Sequence, residues 1–565
     1  MTFACAKFKA FLPAATFAMA AEFLMGLSDS VICGHVIGET GLAAVNLMQS
    51  VFELVSFVSL LVAIGTSVLF STEVGAFHLR RAKGYFTLGV TASILSGLSL
   101  AIVLAIVRQP VLTSFGASPE VFEAAMSYWW GFLPAAFLQP LAFFLGTMCY
   151  ADGDSRLSMV SYASQLLGNC CLSVPLTMSY GPKGCALGTG LGALAAILVL
   201  LFHFRRRGCL WGWSSHWRLG DLLTICRTSL GDASKNVGKA VVLFLLNAYV
   251  IAHFGSDFLP VLAVVVMTIS ISEFFDGVGN AVQPLASVYI GERNDLLTKR
   301  VMRSAVRMSF FEGAGVMLLL LVFPELMLKL AGVDAPPLVG EACRAVRLVS
   351  VALLGLAVVL LFNSYYVFIG REMLSTGMTL LSVLVVPVAL LYPLGAIWGL
   401  TGVWVALGLA PLVAVALCAA YVMFHEGVRR FPYLLTESRE ANLHVFDLEL
   451  DPVQICATST AVGAYLEGRR VDAVRAGKAA LLVEEALMVV RDRNAGQRVL
   501  AEVTVDLNDG GVALVLRDDG VLFDITDADA KIASLRSYLV SNLMTVLPNR
   551  RNLTTTGFNR NVFRL

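Results

Sequence analysis

Two carboxylates lie within the first long apolar stretch of the chain. Glu22 and Asp29 are seven residues apart, so in a helix they share one face. A carboxylate in the apolar core of a bilayer is costly and usually faces a partner or a water-filled cavity. Such groups usually mark a functional site, and we predict a functional role for Asp29. A structural acid near the interface is the alternative, and the choice stays open for Glu22 and for Glu53 on the next stretch.

A second polar set lies in the other half of the chain. Its members recur at helical spacing on two neighbouring apolar stretches, first Lys235, Asn236 and Lys239, then Glu273, Asp276 and Asn280. Opposite charges on adjacent helices can pair, for instance Lys235 or Lys239 with Glu273 or Asp276. One interpretation is a network that contacts a substrate or gates its passage. The other is a static structural pair.

Other residues with metal or redox chemistry form no motif. The 11 cysteines make no CxxC pair, and the seven histidines have no ligand spacing, so we predict no metal site and no cofactor. Net charge is +1, which gives no overall bias toward nucleic acid. No constellation of catalytic residues stands out, and we expect a protein that is not an enzyme.

The polar residues are carried by an all-α polytopic membrane protein. Hydrophobic residues make up 57% of the chain, charged residues 14%, and the mean hydropathy is +0.77. A bilayer core requires about 20 apolar residues per helix. Twelve stretches qualify, near 10–35, 43–75, 85–107, 121–148, 157–179, 185–204, 222–253, 257–290, 301–323, 344–369, 373–397 and 400–424.

The loops between these stretches alternate in charge. Basic residues precede the first stretch and follow the even-numbered ones, among them Lys7, Lys9, Arg80, Arg81, Lys83, Arg205, Arg206, Arg207, Arg293, Lys299, Arg300, Arg371, Arg429 and Arg430. Cytoplasmic loops carry such an excess. We therefore predict a bacterial-type inner (cytoplasmic) membrane, with both termini cytoplasmic. The first apolar stretch is too long for a cleavable signal peptide.

The membrane part divides into two halves. We assign residues 1–204 to one six-helix bundle, 205–221 to a basic linker and 222–425 to a second bundle. The second apolar stretches of the two halves have similar ends, at residues 63–86 and 277–302. Each end has glycines, a helical segment with scattered polar residues and a basic loop. Internal repeats of this kind are typical of transporters. Small residues recurring for helix packing alone are the alternative.

The first half also resembles a known family. The run MGLSDSVICGHVIGETGLAAVN (Met25–Asn46) resembles the first span of multidrug and toxic compound extrusion (MATE) transporters, and NCCLSVP (Asn169–Pro175) and GPKGCALGT (Gly181–Thr189) resemble the fifth and sixth. The run GNAVQPLASVYIG in the second half resembles the eighth. The resemblance covers about residues 10–425. It implies a cation-coupled exporter of two bundles that opens alternately to either side.

The resemblance also implies roles for single residues. Asp29 matches the acid that binds H⁺ or Na⁺, Asn169 matches an assisting amide, and Thr189 matches a hydroxyl ligand. Ser173 stands where the family has a second acid. Because Na⁺ prefers several hard oxygen ligands, this substitution favours H⁺, with Glu22 or Glu53 as substitutes for the missing acid.

A different domain follows the membrane part. We assign 426–443 to a linker and 444–565 to a cytoplasmic α/β sandwich. Alternating apolar residues predict a strand near 446–450, then two helices, a hairpin turning at Asp509-Gly510, a helix near 530–546 and a last strand near 559–565. The predicted order is βααββαβ, one sheet covered by helices.

The tail resembles the GHKL ATPase domain of anti-sigma factor kinases. VEEALMVV carries Glu485, and RDDGVLFD carries Asp518 and Gly520, which match the family's metal-helix and adenine motifs. Val489 replaces the Mg²⁺-binding asparagine, and SLRSYLVSNL lacks the glycines of a phosphate lid. The resemblance thus implies a degenerate domain that regulates or docks. Adenine binding through Asp518 is the alternative.

Three functions remain open at this point. The first is a cation-coupled (H⁺ or Na⁺) antiporter for small organic compounds with a regulatory tail. The second is a lipid-linked precursor flippase of the same superfamily, which would need Arg and Lys in its cavity. The third is a membrane sensor that signals through the tail. Expected partners are the lipid bilayer, a small organic substrate and, at the tail, a cytoplasmic regulatory protein or a nucleotide.

Overall fold

A computed structural model describes residues 2–114, 119–255, 258–331, 336–435, 441–507, 511–523, 551–554 and 558–565. The first bundle has six helices: α1 (Phe3–Val36), α2 (Glu39–Gly75), α3 (Leu79–Ser114), α4 (Pro119–Ala151), α5 (Ser155–Tyr180) and α6 (Pro182–Leu201). A 3₁₀ turn and a loop then lead onward. In this loop Trp211 stacks on Phe86 of α3 with ring centroids 5.2 Å apart, so the basic linker packs against the first bundle.

The second bundle contains shorter, interrupted helices. They are α7 (Leu219–Phe254), α8 (Leu259–Ser270), α9 (Asp276–Gly291), α10 (Asp295–Val322), α11 (Glu325–Ala331), α12 (Pro336–Phe368), α13 (Glu372–Leu380), α14 (Val386–Trp398) and α15 (Leu400–Glu426). A 3₁₀ turn (Ile271–Phe275) joins α8 to α9, and a π turn (Leu381–Val385) joins α13 to α14. Such turns change the direction of side chains along an otherwise continuous helix.

Eleven stretches of the described residues are long and apolar enough to cross a membrane. They correspond to every predicted stretch except 157–179. That segment does form a helix, α5, of 26 residues, but it is rich in serine and is not among the stretches that are apolar enough to cross a membrane. The prediction of twelve spans is therefore not confirmed. The 26 residues of α5 nevertheless pack closely along α6, where the backbones at Gly168 and Gly192 approach each other.

The two bundles meet at the ends of α2 and α9. A methyl group on Gly75 would lie 2.3 Å from the Val288 carbonyl oxygen, and one on Gly291 would lie 2.1 Å from the Thr72 carbonyl oxygen. Only glycine permits backbones to approach this closely. We call the side of the transporter where these helix ends lie the tail side, because the C-terminal domain packs there.

The C-terminal domain contains one antiparallel sheet. Its strands are β1 (Leu443–Glu449), β2 (Leu500–Asp506), β3 (Ala513–Asp518), β4 (Arg551–Thr554) and β5 (Asn559–Arg564), in the order β1-β2-β3-β5-β4. Two helices, α16 (Pro452–Gly468) and α17 (Ala473–Arg493), cover one face. The buried core between them includes Leu448, Leu482, Val503 and Leu516.

The predicted order of the tail was partly right. The first strand, the two helices, the antiparallel pairing of β2 with β3 and the last strand are confirmed. Strand β4 was not predicted. The turn at Asp509-Gly510, the helix near 530–546 and the segment SLRSYLVSNL lie outside the described residues.

Candidate functional site

Asp29 lies at the point where α1 meets three other helices of the first bundle. Its side chain is 3% exposed. Tyr128 on α4, Asn169 on α5 and Thr189 on α6 each direct a polar group toward it. The closeness of α5 and α6 depends on Gly188, because a methyl group there would lie 2.0 Å from the Ser173 hydroxyl oxygen. Small residues at this crossing bring the partners from both helices within reach of the carboxylate.

Both oxygens of Asp29 accept hydrogen bonds. Tyr128 donates to Oδ2, and the Thr189 hydroxyl donates to the same oxygen at 2.9 Å. The Asn169 amide nitrogen lies 3.3 Å from Oδ1 and 2.9 Å from the Thr189 hydroxyl oxygen. Ser28, next in the chain, donates to the Asn169 amide oxygen at 3.0 Å. The four side chains and Asp29 form one connected network that stabilises a carboxylate without a full opposite charge.

Three of the residues that were predicted to act together do lie together. Asp29, Asn169 and Thr189 are in direct contact. Ser173 is fully buried, but its hydroxyl donates to the Cys185 carbonyl oxygen at 3.1 Å and not to Asp29. Glu53 lies on α2, half-buried, outside the set that hydrogen-bonds Asp29.

The sequence interpretation missed Tyr128. It belongs to the buried aromatic run of α4 and stacks on Phe132 with ring centroids 6.4 Å apart. A tyrosine buried in an apolar span needs a partner for its hydroxyl, and that requirement was a usable signal. The partner itself could not be read from the sequence, because 99 residues separate Tyr128 from Asp29.

Glu22 lies two turns before Asp29 but faces different neighbours. One of its carboxylate oxygens is buried and has no hydrogen-bond partner among the described residues. The charged groups nearest to it are Glu273, Lys235 and Asp276 of the second bundle. Tyr162 of α5 is also nearby. Glu22 therefore belongs to the cleft between the bundles rather than to the Asp29 network.

The charged residues of the second bundle form two ion pairs. Lys235 of α7 pairs with Asp276 at the start of α9. One helical turn further along α7, the Lys239 ammonium lies 2.9 Å from the Glu273 carboxylate. Asn236, next to Lys235, is half-buried on α7. With Glu22, three carboxylates face two lysines, so this part of the cleft has one carboxylate in excess.

A cavity lies between the bundles close to these charges. Its volume is about 30 Å³, enough for about one water molecule. Its lining is apolar, aromatic or uncharged and consists of Ala15, Ala18, Met19, Ile64, Phe143, Gly146, Thr147, Tyr150, Ser158, Tyr162, Asn280 and Gln283. The Asn280 amide nitrogen lies 3.6 Å from the Met19 sulfur. Aromatic rings and amides therefore line a cleft that is nearly closed in this conformation, with Glu22 and its neighbours nearby.

A histidine cluster closes the tail side of the first bundle. His203 lies 2.7 Å from Asp152 through Nε2 and 3.2 Å from Asp154 through Nδ1. The Cys149 sulfur is 3.6 Å from Nδ1, and donor atoms of Cys149, Asp154 and His203 lie within 4.8 Å of one another. Arg206 pairs with Asp154 at 2.8 Å. The set has the donor types of a metal site, which sequence spacing did not reveal, but the ion pairs alone balance its charge.

The residues of the predicted nucleotide motif of the tail bond to other residues of the tail itself. Asp518 accepts hydrogen bonds from the Gly520 amide at 3.1 Å and from the Asn559 side chain at 2.8 Å. Burial raises the pKa of Asp518 to about 6. A methyl group on Gly520 would collide with Asn494 at 2.5 Å. Glu485 lies on α17, with one carboxylate oxygen buried and without a described partner. The GHKL resemblance stays a prediction.

Comparison with known proteins gives the family. The MatE family profile matches residues 14–174 and 240–392. The chain is 24% identical over 309 residues to the probable multidrug resistance protein YoeA of Bacillus subtilis (strain 168), covering 53% of this chain and 67% of YoeA.

Solved structures share the fold of the membrane part. One is an outward-facing conformation of a multidrug resistance MATE family transporter of the MOP superfamily, at 20% identity and a TM-score of 0.69, covering 74% of this chain and 95% of that one. Another is a MOP superfamily transporter from Pyrococcus furiosus Vc1 (DSM3638), at 20% identity and a TM-score of 0.68, with the same coverage of both chains. Members of this family are transporters of small organic compounds and not enzymes. The family match covers more than half of the chain, and this multi-pass membrane protein therefore belongs to the MATE family of multidrug efflux transporters.

Proposed function

We propose that the chain exports small organic compounds in exchange for an inward-moving cation, with Asp29 as the coupling residue. The observation that carries this proposal is the burial of Asp29 within a network of donors from three helices. A carboxylate held in this way within a membrane helix is typical of proton and ion relays in transporters. Asn169 and Thr189 position it, and Tyr128 and Ser28 complete its surroundings.

The proposed alternating access would open and close the contact between the bundles. The described close approaches at the tail side join α2 to α9 through two glycines and join Gly65 of α2 to Ser229 of α7, whose N–H···O distance is 2.6 Å. Beside these backbone contacts, Phe8 and Ala14 of α1 belong to one buried apolar cluster with Val278 and Leu285 of α9. Rocking one bundle against the other separates them while each bundle stays intact.

We favour H⁺ as the coupling ion. Asp29 is the one carboxylate of its network, because Ser173 stands in place of a second acid and its hydroxyl is already bonded. A proton requires a single acidic group, whereas Na⁺ prefers a cage of several oxygens. The alternative, Na⁺, would use the amide and hydroxyl oxygens around Asp29 as further ligands.

The cleft favours a compound with an aromatic body and a positive group. Its aromatic lining fits the first property, and the excess carboxylate among Glu22, Glu273 and Asp276 fits the second. A flippase for phosphate-bearing lipids would need the opposite charge. The described lining of the cavity includes no Lys or Arg, which counts against that alternative.

We also propose where the protein lies and what its tail does. The basic loops favour a cytoplasmic tail side in a bacterial-type inner membrane. The tail then serves as a regulatory domain, with a regulatory protein or nucleotide as its candidate partner. If the protein were instead a sensor that signals through the tail, binding of such a partner to the tail would have to change during transport.

Reconstitution into proteoliposomes tests the proposal. Uptake or release of a fluorescent organic cation is followed under a pH gradient alone, a Na⁺ gradient alone and neither. Export driven by the pH gradient alone is expected. Export that follows Na⁺ and ignores pH would overturn the choice of ion, and export that ignores both would overturn the coupling.

A further inference from the structure

Four charged residues form one row across the sheet of the tail. Asp447 of β1 pairs in register with Glu502 of β2, Glu502 pairs with Arg517 of β3, and Arg517 pairs with Arg560 of β5. Residues at paired positions point to the same face of a sheet. The opposite face holds the hydrophobic core under α16 and α17, so the charged row lies on the face that these helices leave uncovered.

That face is nevertheless buried. Glu502 and Arg517 are 0% exposed, and Arg560 is 3% exposed. Val445, on the same face, packs in one cluster with Phe3 of α1 and Tyr289 of α9. The transporter itself is therefore what covers the charged row, and the sheet lies between its own helices and the tail side of both bundles.

The row makes specific bonds to the transporter. Arg517 and Arg560 both bind Glu292, the residue that follows α9, and the Arg560 Nε lies 2.8 Å from its carboxylate. Arg560 also donates to the Gly75 carbonyl oxygen at the end of α2, at 3.0 Å. Two arginines thus hold the ends of α2 and α9 at the same place.

Asp447, at the acidic end of the row, binds two other helices of the transporter. Asp447 accepts a hydrogen bond from the Phe3 amide of α1 at 2.8 Å and pairs with Arg300 of α10 at 3.0 Å. Each end of the row therefore contacts one helix from the first bundle and one helix or helix end from the second. The tail therefore contacts both bundles and not only the second bundle, to which the chain connects it.

The transporter also offsets repulsion between like charges within the row. Like charges stand next to each other at both ends of the row, Asp447 beside Glu502 and Arg517 beside Arg560, and such neighbours repel across strands. Arg300 and Glu292 supply the opposite charge at each end. Removing a buried charge from its partner is strongly unfavourable, so the row resists separation from the two bundles.

We infer that the tail is an ionic clamp: its charged row binds the ends of α2 and α9 together through Glu292 and Gly75, and so favours the conformation that is closed on the tail side. This inference rests on the proposed alternating access, since opening on the tail side must separate α2 from α9. A compound can then enter from the tail side only when the clamp has released at least one of the two helices.

Distances between the bundles test the clamp. Spin labels are introduced as non-canonical amino acids at positions 80 and 373, exposed sites on the tail side of the first and second bundle, so that the 11 native cysteines stay in place. Pulsed electron–electron double resonance on the full-length protein in nanodiscs gives the distribution of the distance between the two labels. The wild type is expected to show mainly the short, closed distance.

Glu292→Gln removes the shared carboxylate while leaving the tail unchanged, and Arg560→Gln removes one arginine while leaving the transporter unchanged. Either variant should raise the ratio of long to short distances by about tenfold or more, because breaking one partner of a buried ion pair is strongly unfavourable. The control is Glu449→Gln, which loses an exposed pair with Arg498 within the tail and should behave as the wild type.

The outcome separates the clamp from the transport proposal. Unchanged distances in both clamp variants, or an equal change in the control, would overturn the clamp. Opening of the clamp variants in a protein whose export ignores both H⁺ and Na⁺ gradients would support the clamp and overturn the coupled transport.

Discussion

A buried carboxylate that exchanges a cation must be stabilised both with and without that cation. The neighbours of Asp29 suit this requirement because most of them are hydroxyls. Ser28, Tyr128 and Thr189 can rotate their protons to donate to a charged carboxylate or to accept from a neutral one. The Asn169 amide links two of them and keeps the set aligned. A lysine or arginine in their place would hold the charged form permanently.

The first prediction is that Asp29→Asn abolishes gradient-driven export and leaves folding and membrane insertion intact. The amide has nearly the same shape but neither charge nor exchangeable acid. Export is measured in proteoliposomes, and insertion by expression and monodisperse purification. Glu312→Gln is the control, since it neutralises another carboxylate in a span, on α10, outside this network. Normal pumping by Asp29→Asn would refute the assignment.

Thr189 permits a more selective test. Thr189→Val keeps the shape of the side chain and removes the hydroxyl that contacts both Asp29 and Asn169, while Thr189→Ser keeps the hydroxyl. A hydrogen bond to a charged group contributes roughly 1.5–3 kcal/mol, so Thr189→Val should slow export about tenfold or more. Thr189→Ser should retain most of the rate. Equal rates for both variants would show that the hydroxyl has no part in coupling.

Helix crossings decide how the bundles approach each other. The end of α9 reaches α2 because Gly291 has no side chain, and the same holds for Gly75 on α2. Each glycine faces the backbone of the opposite helix, which cannot move aside as a flexible side chain would. Closure on the tail side therefore depends on two positions that carry no chemistry of their own.

Gly291→Ala should accordingly weaken closure on the tail side. The added methyl group would lie 2.1 Å from the Thr72 carbonyl oxygen, and overpacking of this kind typically costs about 1–3 kcal/mol. Gly315→Ala on α10 is the matched control, because nothing lies within 4 Å of its new methyl group. The thermal midpoint of the purified protein should fall for Gly291→Ala only. Because alanine favours a helix over glycine, the control should lose no stability, and a similar loss for both variants would contradict the role of the crossing.

The whole molecule combines a transporter with a domain seated on its moving ends. Deleting residues after about 435 should leave a protein that still inserts, because every membrane helix and basic loop remains. Its rate of export or the control of that rate should change, because the buried charges around Glu292 would become exposed to water. Comparing export by the truncated and full-length proteins at equal reconstitution decides this. Loss of insertion would show instead that the tail is needed for folding.

Hydrolysis of ATP by the full-length protein should be negligible. Val489 stands where the resemblance requires the Mg²⁺-binding amide, and the carboxylate of Asp518 is already bonded to Gly520 and Asn559. Phosphate transfer depends on a correctly placed metal. Release of inorganic phosphate in the presence of ATP and Mg²⁺ measures the rate of hydrolysis. Clear turnover that disappears in Glu485→Ala would show that the tail is an enzyme.

The sequence by itself determined eleven of the twelve predicted membrane spans and most of the strand order of the tail. These features depend on apolar length, loop charge and the period of a single segment, and each can be read locally. Asp29 could be found in the same way, because an acid within an apolar helix is conspicuous. Asn169 and Thr189 required a resemblance to a family, since polar residues of their type are common in helix bundles.

Only the tertiary structure decided which side chains meet. Tyr128 joins Asp29, Glu22 faces the second bundle rather than the Asp29 network, and His203 lies between two aspartates that the chain places some 50 residues away. The register of the sheet brought Asp447, Glu502, Arg517 and Arg560 into one row, and the docking of that row brought Glu292 to two arginines. These contacts depend on where helices cross and how strands pair across long separations, and no period within one segment encodes them.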